Sequence, residues 1–292
     1  LRMFVRNCFR YLVYKIDRYL SRNKFILLYS RDELVIGKID INNFVKLIPP
    51  KKDFWADPFV IEFQNNYYIF FEEGKYPGYK GQLSVLKLNS DGTYDRPKVI
   101  LEKPYHLSYP FIFENNGNYY MIPETSANKT VELYKCKKFP FEWEFSIYLM
   151  KDVILQDPTL FFYNDIWWLF VTTKSPKSSS SNDQLLIYYS QDLFFDDWTP
   201  HAGNPVITDV SNCRPAGKIF MEGNKIFRPA QNNASNQYGY SVKINEIELL
   251  TPTEFRERLI FEISPGEHKE FAAIHTLNFT KNMIVMDGIE AR

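Results

Sequence analysis

Short apolar runs broken by polar pairs dominate the chain from residue 54 onward. The unit DPFVIEFQNNYYIFFEE, from Asp57, sets an aromatic-rich run on each side of the Asn65-Asn66 step and ends on Glu72-Glu73. Apolar segments around a tight polar step predict strand, turn, strand. The pattern returns as YPFIFENNGNYYMIPET from Tyr109, DPTLFFYNDIWWLFVTT from Asp157 and, more weakly, RPAGKIFMEGNKIFRPAQ from Arg214. The prolines of these copies, Pro58, Pro110, Pro158 and Pro215, stand 52, 48 and 57 residues apart. A further copy without proline, HTLNFTKNMIVMDG, begins at His275.

A period near 50 residues with several short strands per unit predicts an all-β, five-bladed β-propeller over residues 24–292. Segments 82–89, 130–136, 185–190 and 238–250 supply outer strands, and FILLYS or ELVIGKI from the N-terminal side closes the fifth blade. In a propeller the first strand of each blade lines the axis, so equivalent positions meet at one mouth. Asp57, Tyr109, Asp157, Arg214 and His275 are expected around it. The second-strand ends Glu72, Glu73, Glu124, Thr172 and Gln231 are expected beside them, with Trp55 as an aromatic platform.

Composition agrees with strands: 17% of residues are aromatic. Thirty-five basic residues balance 35 acidic ones, so no nucleic-acid footprint exists. Cys8, Cys136 and Cys213 are scattered, which fits a reducing compartment and gives neither a disulfide framework nor a metal site. No phosphate-binding Gly loop, HExxH or Gly-x-Ser-x-Gly motif occurs, and strand–helix alternation of the Rossmann type is missing. Residues 1–23 carry Arg2, Arg6, Arg10, Lys15, Arg18 and Arg22 against Asp17, with apolar residues at helical spacing. They predict a basic amphipathic helix, too interrupted to span a membrane, with two readings: peripheral contact with the inner, cytoplasmic membrane face, or packing on the chain's own domain.

Trp55-Ala-Asp-Pro-Phe-Val60 followed by a hairpin resembles the first blade of family-43 glycoside hydrolases. LSYPFIFENNGNYYMIPETS, VELYKCKKFPFEWE, the stretch from RPAQNN to TPTEFRE, and IHTLNF with MDG resemble more specifically the propeller domain of glucosamine inositolphosphorylceramide transferases, over roughly residues 50–290. In the plant members a separate glycosyltransferase domain follows the propeller; none is recognised in this chain. The hydrolase resemblance implies Asp57 as general base and Asp157 as the residue that tunes pKa and orientation. At the position where those hydrolases carry a catalytic Glu, this chain reads Cys213-Arg214-Pro215. An arginine cannot donate a proton near neutral pH, but it binds phosphate well.

These features point to transfer of a sugar from a phosphate-activated donor onto a carbohydrate or glycolipid acceptor in cell-envelope glycoconjugate or polysaccharide synthesis. No cofactor motif is identified; a sugar nucleotide or sugar phosphate is the donor this scheme needs. Asp57 would activate the acceptor, Asp157 and Glu124 hold hydroxyls, and Arg214 bind the phosphate, with Tyr109, His275, Gln231, Glu72 and Trp55 as further contacts. Two alternatives stay open: a hydrolase with Glu124 as displaced acid, and a non-catalytic glycan-binding propeller. Bland readings stand beside these: Asp57 as a turn residue, Arg214 as an ion pair between blades, Glu124 as a cap on the following Ser-Ala-Asn turn.

Overall fold

The computed structural model describes residues 25–75, 80–175, 183–234, 238–266 and 270–291. The N-terminal segment 1–23, most of the serine-rich stretch 174–183, and His268 lie outside them. Strands β1 (Phe25–Ser30) and β2 (Val45–Leu47) open the described chain. Blade I holds β3 (Asp53–Phe63), β4 (Asn66–Lys75), β5 (Gln82–Leu88) and β6 (Lys98–Leu101). Blade II holds β7 (Ser108–Asn115), β8 (Asn118–Thr125), β9 (Thr130–Lys138) and β10 (Glu142–Lys151). Blade III holds β11 (Gln156–Tyr163), β12 (Ile166–Thr173), β13 (Gln184–Ser190) and β14 (Thr199–Pro200). Blade IV holds β15 (Arg214–Pro215), β16 (Phe220–Glu222), β17 (Lys225–Asn232), β18 (Ser241–Leu250) and β19 (Phe255–Ile263). Blade V is β20 (Phe271–Thr280) and β21 (Met283–Glu290), completed by β1 and β2 in the order β20-β21-β1-β2. The sequence is thus a five-bladed propeller whose ring is closed by FILLYS; ELVIGKI is irregular apart from its turn.

The hairpin turns show why the Asn-rich steps matter. Gln64-Asn65, Asn116-Gly117 and Asn164-Asp165 all have positive φ at both positions, the geometry whose twist matches antiparallel strands. Between blades, apolar faces interlock. Phe59 meets Tyr109 edge-on at 5.0 Å and Phe111 at 5.7 Å, joining blades I and II. Each fully buried aromatic or aliphatic side chain of this kind contributes roughly 1.5–3 kcal/mol.

At the mouth the first strands depart from regular pairing. The β3–β4, β7–β8, β11–β12 and β20–β21 ladders shift register at Ala56/Phe59, Ser108/Phe111, Gln156/Thr159 and Ile274/Leu277. At the first three bulges Asp57, Tyr109 and Asp157 take φ of 53°, 45° and 50°. Such left-handed geometry in a non-glycine residue costs on the order of 1–3 kcal/mol. Blade IV differs: Arg214 pairs regularly with Gln231, and the strand then breaks at Gly217, φ +143°, before resuming as β16. A Cβ at Gly217 would lie 1.9 Å from the Leu277 carbonyl oxygen of blade V. That break is the reason the fourth copy is weak in the sequence.

Candidate functional site

A cavity of about 370 Å³ opens at the mouth of the ring, within the range of ligand pockets, about 300–1,000 Å³. Asp57, Glu72, His106, Glu124, Arg214 and His275 are among its walls, with Phe25, Phe54 and Tyr238 as its aromatic members. A second depression of about 380 Å³ lies on the outer part of blade III beside Tyr189, Asp192 and Phe195; it is lined by no histidine and no cation.

The bulges explain how carboxylates collect here. A bulged residue cannot give its N–H to the ladder, and a buried unpaired N–H is costly. The Asp57 N–H donates to Asp287 Oδ2 at 2.7 Å, the Tyr109 N–H to Asp57 Oδ2 at 3.2 Å, and the Asp157 N–H to Glu124 Oε2 at 3.3 Å. Carboxylates of one blade therefore cap the bulge of the next, running V to I, I to II and II to III. From blade IV, Arg214 grips Asp157 through Nε and Nη2, the latter 3.1 Å from Oδ1, and Gln231 Nε2 donates to Asp157 Oδ2 at 3.3 Å.

Cations sit within this ring. His275 Nε2 lies 3.2 Å from Asp57 Oδ1, and Nδ1 lies 2.7 Å from Asp287 Oδ1. Burial disfavours its charge, but Asp287 and Asp57 outweigh burial and push the imidazole up to about 10. Burial pulls Asp57 the opposite way, upward, but its hydrogen bond and charge contact with His275, aided by Arg214, hold its carboxyl below the usual range. Glu72 faces burial plus the charges of Asp57 and Glu124, and is raised well above an ordinary glutamate. One cavity thus favours the ionised form of an aspartate and the neutral form of a glutamate.

Ligand atoms of Asp57, His275 and Asp287 lie within 4.8 Å of one another, a spacing a metal could use. Both ring nitrogens lie close to carboxylates, so a metal would bind His275 only by displacing a proton from the imidazole. The imidazolium is itself the cation of this cluster.

Each residue singled out in the sequence has a definite place. Asp57, Glu72, Glu124, Arg214 and His275 line the cavity. Asp157, 1% exposed, lies behind Arg214 and is not among the lining residues, so it supports the wall and does not reach a sugar hydroxyl. Gln231 and Thr172 are also fully buried; Gln231 Nε2 also donates to the Pro215 carbonyl at 2.9 Å, and Thr172 hydrogen-bonds the Cys213 carbonyl. The Tyr109 ring points into the core, its hydroxyl 2.8 Å from Thr159 Oγ1. Trp55 is no platform: strand alternation turns Ala56 to the cavity and puts Trp55, 2% exposed, on the opposite face against Phe71 and Tyr94. Glu73 likewise faces Ser84 and Gln82, away from the mouth.

Four participants are absent from the sequence-based set. Asp287 lies in the quoted Met286-Asp287-Gly288 step, in the second half of β21, so the rule that selected Glu72 and Glu124 could have found it. His106 precedes β7 in a loop, where periodicity carries no signal. Phe25 and Tyr238 flank His275 at ring distances of 5.0 and 5.4 Å. Tyr238, 43% exposed, also lies 5.2 Å from the Arg214 guanidinium.

By architecture the chain is a five-bladed propeller of the kind glycoside hydrolases use. It is similar to Zg3597, a family 117 glycoside hydrolase from Zobellia galactanivorans, with TM-score 0.57 and 12% identity over 82% of this chain and 76% of that one. It is also similar to an α-L-arabinanase of Cellvibrio cellulosa, with TM-score 0.51 and 12% identity over 70% and 77%. Sequence goes further than shape: the chain belongs to the family described as glucosamine inositolphosphorylceramide transferase 1, N-terminal, whose model matches residues 45–277. Glucosamine inositolphosphorylceramide transferase 1 of Oryza sativa subsp. japonica is 34% identical over 208 residues, 70% of this chain and 28% of the rice protein. The Arabidopsis thaliana protein of the same name is 29% identical over 208 residues, 70% of this chain and 27% of that protein. The chain spans little more than a quarter of the length of these relatives.

Proposed function

We propose that the mouth of the ring is a carbohydrate-processing site in cell-envelope glycoconjugate or polysaccharide synthesis, where a sugar is transferred to an acceptor hydroxyl that Asp57 deprotonates. The observation that carries this reading is the Asp287–His275–Asp57 line. It favours the ionised form of Asp57 through the charge of His275, and the Tyr109 N–H holds the same carboxylate from another side. Aromatic faces at Phe25 and Tyr238 and polar groups between them suit a sugar ring, apolar on one face and hydroxylated at its edge. A phosphate-activated donor is the class that Arg214 would take; because Asp157 already accepts two of its N–H groups, a donor phosphate would share the guanidinium. The relatives' names support glycoconjugate synthesis over degradation. The inositolphosphorylceramide in the relatives' names, with the basic residues 1–23 leading to Phe25 in the cavity wall, supports a lipid-linked acceptor, which this reading sets at the cytoplasmic membrane face.

The test compares wild-type protein with Asp57→Asn on sugar nucleotides paired with sugar and glycolipid acceptors, and on aryl glycosides. A loss of about 10²–10⁴-fold in turnover, with an unchanged circular dichroism spectrum, is expected. Unchanged turnover excludes Asp57 as base. Glycan binding with no turnover on any pair replaces this reading with that of a binding propeller.

A further inference from the structure

The resemblance leaves the proton donor unassigned, since Arg214 occupies the position where a catalytic Glu is expected. Hydrogen-bond accounting narrows the choice. Glu124 is committed: Oε1 accepts from Ser126 Oγ at 2.7 Å, Oε2 accepts the Asp157 N–H, and Arg214 Nη2 lies 3.8 Å away. Asp57 and Asp287 are held by His275 and by backbone amides. Glu72 is different. It lines the cavity at 4% exposure, and its Oε1 is buried without a hydrogen-bond partner among the described residues. A buried oxygen left in that state costs about 1–3 kcal/mol, which an arriving ligand group would relieve.

The surroundings of Glu72 are built around it. The Gly81 N–H donates to His106 Nδ1 at 2.9 Å, so a neutral His106 carries its proton on Nε2, which faces Glu72 Oε1 at 3.4 Å. That gap exceeds a normal hydrogen bond, as is common for catalytic pairs before substrate arrives. A Cβ at Gly81 would lie 2.5 Å from Glu72 Oε1 and 2.9 Å from His106 Cε1, so the pair packs against bare backbone. The His106 side chain is 27% exposed against 6% for Glu72, which gives the buried acid a route to solvent.

We infer that Glu72 is the proton donor of this cavity, reloaded through the positioning residue His106. In the step, the bond between the anomeric carbon and the leaving oxygen breaks, its electron pair going to that oxygen; a phosphate leaves as its anion on Arg214, whereas a more basic glycosidic oxygen takes the Glu72 proton. The acceptor oxygen, from a sugar hydroxyl or water, bonds the anomeric carbon and yields its proton to Asp57. The inference rests on the proposed reading of the cavity. Burial and the negative charges of Asp57, Glu124 and Asp287 raise Glu72 and favour its protonated form, against the opposing pull of the His275 charge. Burial, the main influence on His106, holds it below the usual histidine value despite Asp57.

Two measurements test it. Carbon-13 NMR of glutamate-labelled protein should show one carboxyl still protonated near neutral pH and absent in Glu72→Gln. Turnover of matched phenyl and 2,4-dinitrophenyl glycosides, across a panel of sugars, should fall about 10²–10⁴-fold in Glu72→Gln for the phenyl series. The dinitrophenyl series, whose leaving group needs no proton, should fall less than about tenfold. His106→Ala should move the alkaline limb of the pH profile upward, because the Nε2–H that favours the Glu72 carboxylate is gone. An ionised Glu72 near neutral pH, or equal losses on both series, overturns the assignment while leaving Asp57 as base. Wild-type protein that turns over sugar nucleotides but no aryl glycoside overturns the donor assignment alone, and protein inert towards every substrate pair overturns the reading of the cavity with it.

Discussion

His275 shows how a single residue can couple stability to pH. Its folded pKa, pushed up to about 10, exceeds the unfolded value of about 6.5. Its contribution is complete below about 6.5 and is lost as pH rises through about 10. Glu72, also raised, acts in the same direction, its contribution fading from about 4.3 upward. Asp57, lowered, contributes above the ordinary aspartate value and loses that contribution in acid. Urea midpoints of the wild type should therefore fall between neutral pH and pH 10 more steeply than those of His275→Gln; parallel curves would remove the imidazolium from the account. Arg214 offers a second residue-level test. Arg214→Ala leaves the buried Asp157 carboxyl, which burial already raises, without the partner that opposes that rise, and should cost about 3–5 kcal/mol by urea denaturation, much of it recovered in Arg214→Met with Asp157→Leu.

At the level of elements, the first strand of each blade has two demands to meet: run along the axis, and turn sharply at the mouth. Blades I to III meet the second with an X-Pro bulge capped by a neighbouring carboxylate. Blade IV meets it with a glycine. Gly217→Ala should therefore destabilise by at least about 2 kcal/mol, since its Cβ would strike the Leu277 carbonyl at 1.9 Å. Gly117→Ala, also at positive φ but with nothing within 4 Å, should cost only about 1 kcal/mol. Thermal melts of the two variants separate them, and equal losses would contradict the packing described at blade IV. These elements also show what a sequence reveals. The hairpins were readable because asparagines mark their turns and alternation marks their faces, although the first turn is Gln64-Asn65, one residue before the Asn65-Asn66 step that signalled it. Trp55 was misplaced because a bulge two residues later decides which face meets the cavity, and nothing in Trp-Ala-Asp-Pro encodes that choice. Tyr109 sits at the same kind of bulge as Asp57 and Asp157, yet its ring, unlike a carboxylate, is drawn to Phe59 and the core.

For the whole molecule, closure of the ring depends on β1, whose register with β21 runs from Phe25↔Ile289 to Ser30↔Ile284. Removing residues 1–30 should abolish the cooperative thermal transition, because blade V would lose its third strand and expose the apolar edge of β21. Removing residues 1–23 should leave that transition in place and, if the basic segment meets lipid, end co-sedimentation with phosphatidylglycerol vesicles. Convergence of Asp57, Glu72, Glu124, Arg214 and His275 followed from the repeat, because a propeller brings equivalent positions together. His106, Phe25 and Tyr238 join from outside the repeated positions and left no periodic trace. The central claim is that this mouth holds a sugar. It is tested most directly by a crystal structure soaked with a panel of monosaccharides, sugar nucleotides and aryl glycosides. The account predicts a sugar ring between Phe25 and Tyr238 with hydroxyls on Asp57 and Glu72; an occupied site elsewhere with this cavity holding none of them would contradict it.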